Sequence, residues 1–117
     1  MKKIYYLSTC STCKRILSEM PAIDTFELQE IKKDPITAEQ LEEMYVKVGS
    51  YELLFNKRSQ LYKNRELKSK NLQEEDYKDL LLEHYTFLSR PVIFIGDEIF
   101  VGNSAKVIEK AKKKAAL

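Results

Sequence analysis

The chain opens on a short, continuous apolar run, Ile4-Tyr5-Tyr6-Leu7, whose length and aromatic content predict a buried strand over 3–7. Ile16, Leu17 and Met20 then fall on one helical face, which predicts a helix over 11–20 that Pro21 ends. Residues 24–31 alternate, with Phe26, Leu28 and Glu30 set against Thr25, Glu27 and Gln29, as in a second strand. After the polar loop Lys32-Lys33-Asp34-Pro35, Thr37 and Gln40 have capping-box spacing, and Leu41, Met44, Tyr45 and Val48 share a face of the helix they open. Gly49 suits the left-handed residue that ends it. Ser50 to Leu54 reads as one more helical turn, the polar stretch 55–70 holds a short helix near 60–65, and 74–85 returns to helical spacing through Tyr77, Leu80, Leu81 and His84. The last third changes period. Pro91-Val92-Ile93-Phe94-Ile95 and Glu98-Ile99-Phe100-Val101 flank Gly96-Asp97, a hairpin with a two-residue turn, and Asn103 or Ser104 caps a final helix to residue 114.

Cys10-Ser11-Thr12-Cys13 lies where the first strand feeds the first helix, and it holds both cysteines of the 117 residues. A C-x-x-C at a strand-to-helix turn is the redox-motif arrangement of thioredoxin-like proteins. Cys10 falls at the helix N-terminus, where unpaired N–H groups favour a thiolate. Two plainer readings stand beside this one. Half of a zinc site would need two further ligands, and His84 is the one other soft candidate, so no metal is expected. Inert buried cysteines are the other, although Ser8, Thr9, Ser11 and Thr12 suit a polar turn better than a packed interior. The element order β-α-β, helices, β-β-α predicts one α/β domain over 1–117 with a thioredoxin-like fold. A parallel βαβ unit and an antiparallel ββα unit share a mixed four-stranded sheet, built from about 1–34 and 88–117, with an all-helical insertion over about 35–87.

Composition narrows the partners. The net charge is only +2, which gives no footprint for direct nucleic-acid binding. Lys106, Lys110, Lys112, Lys113 and Lys114 cluster at the end, where the dipole of a last helix favours cations, or where a partner could dock. No apolar run reaches membrane-spanning length, and four apolar residues after Met1-Lys2-Lys3 are too few for a signal-peptide core. A cytoplasmic, monomeric protein is expected, in which any disulfide is transient.

Two arginines stand near the apolar runs: Arg90, directly before Pro91 and the hairpin, and Arg58, in Asn56-Lys57-Arg58-Ser59. Pro91 is expected to be a cis-proline that sets Arg90 beside Cys10. Guanidinium groups offer forked donors to an oxyanion and lower a neighbouring thiol pKa. With the cysteine loop, the helical insertion, Asn56-x-Arg58-Ser59, the stretch from His84 to Arg90-Pro91-Val92-Ile93, and Val101-Gly102, the chain resembles the ArsC/Spx family. That family comprises glutaredoxin-linked arsenate reductases, Spx regulators and YffB-like proteins, and the resemblance covers nearly the whole chain.

The resemblance implies that Cys10 attacks arsenate, that Arg58 and Arg90 hold the oxyanion, and that glutathione with glutaredoxin or thioredoxin supplies electrons, no cofactor being bound. The chain departs from the reductases at two positions. Gly102 stands where they carry a third anion-binding arginine, and Cys13 where they have no cysteine. Losing one cationic contact could cost about 2–4 kcal/mol of transition-state stabilisation, which argues against arsenate as the natural substrate. Cys13 opens an alternative, a Spx-like redox regulator that switches through a Cys10–Cys13 disulfide, with Cys13 as resolving thiol, and binds the C-terminal domain of the RNA polymerase α subunit. Gly49 lies near the glycine of that surface, whereas Spx proteins carry a longer tail. His84 matches a family histidine and reads as structural or as a tuner of Cys10; Tyr85 replaces the proline that usually follows it.

Overall fold

A computed structural model describes residues 1–117. Four strands form one mixed sheet in the order β2-β1-β3-β4: β1 (Lys2–Tyr6), β2 (Glu27–Glu30), β3 (Val92–Ile95) and β4 (Glu98–Val101). β1 runs parallel to β2, with Ile4 opposite Leu28, and antiparallel to β3, with Ile4 opposite Ile93. β3 and β4 make the hairpin, turning at Gly96 with φ +61, the positive-φ first position that glycine accepts freely. The helices are α1 (Ser11–Glu19), α2 (Ala38–Val48), α3 (Gln60–Asn64), α4 (Glu74–Glu83) and α5 (Ala105–Ala115). The order is that of a thioredoxin-like fold carrying a helical insertion.

The chain divides into two compact units, 1–34 with 90–117, and 35–89. The sheet unit resumes at Arg90 rather than at residue 88, because Leu88 bridges Phe55 and the Ser89 N–H donates to the Leu54 carbonyl at 2.9 Å.

In the sheet unit, Ile4, Ile93 and Ile95 meet Ile16 and Met20 of the α1 region and Ile108, Ala111 and Ala115 of α5. The small alanines let α5 lie close to the sheet. The other sheet face holds Lys3, Tyr5, Val92 and Phe94, all buried, with Lys3 paired to Glu27 at 3.0 Å. The Ser104 Oγ caps α5 by accepting from the Val107 N–H at 3.2 Å, which settles the choice between Asn103 and Ser104.

One expectation fails at β2. The chain from Ile23 to Thr25 makes a 3-10 turn instead of extending the strand, after Ala22 takes a left-handed φ of +54. Within the strand, Gln29 is buried and Leu28 is 45% exposed, the reverse of the predicted alternation. β2 is an edge strand, so Leu28 sits at the margin of the face whose helical cover is centred on Ile4 and Ile93. The Gln29 amide meanwhile donates to the Asp34 carbonyl at 3.0 Å, which satisfies a donor on a nearly buried residue.

In the helical unit the capping box closes as its spacing predicts. The Gln40 N–H donates to Thr37 Oγ1 and the Thr37 N–H to Gln40 Oε1, each at 3.1 Å. Gly49 ends α2 at φ +85. Phe55 centres the packing, its ring 5.7 Å from Tyr62, 5.0 Å from Tyr77 and 5.0 Å from Phe87. The predicted helix over 74–85 stops at Glu83, because His84 is extended at φ −149 and ψ 134 and opens a 3-10 turn over Tyr85–Phe87. No helix of the chain is long and apolar enough to cross a membrane.

Candidate active site

Cys10 occupies the N-cap position of α1 with extended backbone, φ −95 and ψ 113. Its own N–H donates to the Leu7 carbonyl at 3.1 Å, so the chain turns tightly out of β1 before the helix begins. No acidic residue stands in the first turn of α1. The positive end of the helix is therefore left to the cysteine sulfur.

The two thiols, both free, differ in surroundings and in acidity. Partial burial pushes the Cys10 thiol up, but the Cys13 N–H, the Cys13 thiol, the Thr12 N–H and the Arg90 charge together outweigh it and leave Cys10 below its ordinary value of 9.0. Cys13 has no exposed surface, and burial pushes it up to about 11; the Leu7 backbone opposes this, while a negative charge on Cys10 adds to it. One turn of helix thus holds a half-exposed thiol inclined to ionise and a buried thiol inclined to keep its proton. The hydrogen bond between them couples the two.

Arg90 belongs to the same unit as both cysteines, and its charge acts on each. The Arg90–Pro91 peptide bond is cis, and Pro91 is buried at the start of β3. The Pro91 carbonyl accepts from the Gly102 N–H at 2.9 Å. Gly102 has φ +90, a backbone that an arginine would adopt only under strain, although open space surrounds the place of its Cβ. Arg58 lies in the helical unit, exposed, two residues before α3. Its N–H donates to Asn56 Oδ1 at 3.0 Å, and the neighbouring Ser59 caps α3 by accepting from the Tyr62 N–H at 3.1 Å.

His84 does not sit on an apolar helical face. Its Nδ1 accepts from the Thr86 N–H at 3.0 Å and its ring stacks on Tyr85 with centroids 4.6 Å apart. With Nδ1 occupied as an acceptor, Nε2 is the ring nitrogen left to meet another group.

Glu30 was not singled out by the sequence, yet it anchors the cysteine loop. It accepts from the Ser8 N–H at 3.0 Å, the Ser8 Oγ at 3.2 Å and the Lys33 N–H at 2.7 Å. Burial raises its carboxyl, but these donors prevail and hold it below 4.5. The only sequence signal was its position at the end of the second strand, and its alternation suggested packing rather than a tether. No group of three or more His, Cys, Asp or Glu side chains is arranged to hold a metal ion.

The sequence matches the ArsC family over residues 5–111. No curated protein matches it significantly. Among solved structures, an ArsC family related protein from Bacteroides fragilis is 25% identical, with a TM-score of 0.76 over 95% of this chain and 98% of its own. The arsenate reductase from Vibrio cholerae is 16% identical, with a TM-score of 0.75 over 96% of this chain and 95% of its own. An arsenate reductase (ArsC) related protein from Brucella melitensis is 22% identical, with a TM-score of 0.70 over 93% of this chain and 92% of its own.

Proposed function

Because the chain belongs to the ArsC family, we propose that it is a thiol-dependent oxidoreductase whose nucleophile is Cys10 and whose resolving thiol is Cys13. The observation that carries this reading is the placement of the two thiols, Cys10 half-exposed at the N-cap of α1 and Cys13 one turn inside the helix with no exposed surface. The Cys10 thiolate attacks an oxidised centre and bonds to it, expelling hydroxide or water from an oxyanion or a thiolate from a disulfide, with Arg90 offsetting negative charge beside it. Once the Cys10 sulfur is bonded it carries no charge, so the part of the Cys13 shift that comes from Cys10 is removed. Cys13 then gives its proton to the departing group and attacks the Cys10 sulfur, breaking that sulfur's bond to the substrate atom, which leaves with the bonding pair. The product is an internal disulfide, and two electrons have passed to the substrate. Glutathione with glutaredoxin, or thioredoxin, returns both cysteines to thiols.

The positive-φ glycine at position 102, where the family's reductases carry an arginine, supports a substrate other than arsenate. Arsenate remains the practical probe. In an NADPH-coupled assay with arsenate, glutathione and glutaredoxin, Cys10→Ser should reduce turnover to background. Turnover surviving that change overturns the reading. Loss with Cys13→Ser as well supports the internal disulfide, whereas full activity with it supports direct resolution by glutathione. The family resemblance gives Arg58 an oxyanion-binding role, which Arg58→Ala tests as a rise in KM.

The burial of Cys13 against Cys10 also favours a second reading, a redox-responsive regulator whose output is a protein contact. Under it, the chain binds the RNA polymerase α C-terminal domain, and oxidation to the Cys10–Cys13 disulfide changes the affinity. Equal binding by the reduced and oxidised forms, or none by either, contradicts it.

A further inference from the structure

We propose that the outer edge of β4, with the groove beside it, binds an acidic extended segment of another protein. β4 is the last strand of the sheet and pairs only with β3. Ile95 stands opposite Glu98 across the two-residue turn and Ile93 opposite Phe100, which makes these the hydrogen-bonded pairs of the hairpin. The N–H and C=O groups of Ile99 and Val101 therefore point away from β3, along an edge that no other strand covers.

A groove of about 350 Å3 lies beside this edge, lined by Glu98 and Phe100 of β4, by Lys110, Lys113 and Lys114 of α5, and by Leu117. Phe100 is only half-buried and Leu117 is 96% exposed, so the groove has apolar surface open to water. Its charge is not balanced. Of its three lysines, Lys113 pairs with Glu109 at 3.5 Å and Lys114 with Glu98 of the groove wall at 3.4 Å, while Lys110 forms no ion pair. The macrodipole accounts for lysines at the end of α5, but not for their standing over an apolar groove next to an open strand edge.

An added strand would take main-chain bonds from Ile99 and Val101, lay alternate aliphatic side chains toward Phe100, and set its carboxylates near the lysines. A second copy presenting its own β4 would bring lysine against lysine, so symmetric pairing is opposed by charge. The occupant this chemistry selects is an acidic segment with aliphatic residues two apart.

The test uses the full chain and a fluorescein-labelled peptide, Glu-Glu-Val-Glu-Val-Glu-Glu. Its anisotropy should rise to saturation, and the amide resonances that move should be those of Ile99, Val101 and the last turns of α5. Lys110→Glu, an exposed change that should leave the far-ultraviolet dichroism unaltered, should weaken binding about tenfold. The same peptide with lysine in place of glutamate should not bind. Four results overturn the proposal: no saturation, resonance changes confined to other elements, equal binding by the lysine peptide or a DNA duplex, or self-association of the chain through this edge.

Discussion

In the sheet unit, Glu30 accepts from the Ser8 N–H and Oγ and from the Lys33 N–H; in the helical unit, Glu74 accepts from the Tyr51 N–H at 2.7 Å, the Glu52 N–H at 3.2 Å and the Ser50 Oγ at 3.0 Å. The two carboxylates do the same local work. Each reaches a turn more than twenty positions away in sequence and collects donors that would otherwise turn to water. In both, burial raises the carboxyl, and the donors more than reverse that and hold it below 4.5. What differs is the cargo of the tethered turn. Ser8 stands two residues before Cys10, so Glu30 fixes the loop from which the thiol projects. Tyr51 leads toward Phe55 and the aromatic packing, so Glu74 fixes a fold element and nothing reactive. The same device tethers the way into the aromatic packing in one place and the cysteine loop in the other, and only the position of the thiol tells them apart.

That contrast can be broken in graded ways. The largest effect should come from the packing the Glu74 tether leads into: Phe55→Ala should cost about 3–5 kcal/mol, read from urea unfolding, because a buried ring with three aromatic neighbours is lost. Glu30→Gln should cost about 1–2 kcal/mol, since a charged acceptor becomes a neutral one that cannot serve all its donors. It should also slow alkylation of Cys10 at neutral pH, because the loosened loop holds its N–H groups less firmly toward the sulfur. Glu74→Gln, at a more exposed site, should cost less than about 1 kcal/mol and leave the alkylation rate of Cys10 unchanged. An equal effect of the two variants on Cys10 would erase the distinction.

The pH dependence follows from the sign of the shifts. Both folded carboxyls lie below 4.5, so their stabilisation is fully present above that pH and is lost as the pH falls through the lowered folded values. Unfolding curves of the native chain and each glutamine variant should converge in acid. A gap that stays constant down to pH values well below 4.5 would contradict the assignment.

Much of this architecture could be read from local pattern. The apolar run at Ile4, the capping box at Thr37, Gly49 and the Gly96 hairpin each act through neighbours a few residues away, and each appears where its pattern points. The failures share the opposite property. Leu28 alternates like a core residue, but only the strand order puts β2 at the edge. His84 continues a helical spacing, yet the Thr86 N–H draws its Nδ1 into a turn that ends the helix first. Glu30 patterns with the packed side of β2 and Glu74 with the acidic first turn of α4, because the Ser8 and Tyr51 donors they serve lie more than twenty positions away, outside any local window. In the site, the C-x-x-C spacing and the proline after Arg90 were visible, but the depth that separates Cys13 from Cys10 is a product of the tertiary packing.

The central claim is that Cys10 is the ionising thiol and Cys13 the guarded one. Iodoacetamide alkylation across a pH series, with each cysteine resolved by mass spectrometry, tests it directly. The account predicts that Cys10 is modified with a midpoint below 9.0 while Cys13 stays protected until the pH approaches about 11. Modification of Cys13 first, or of both cysteines together with a midpoint at the ordinary 9.0, would contradict it.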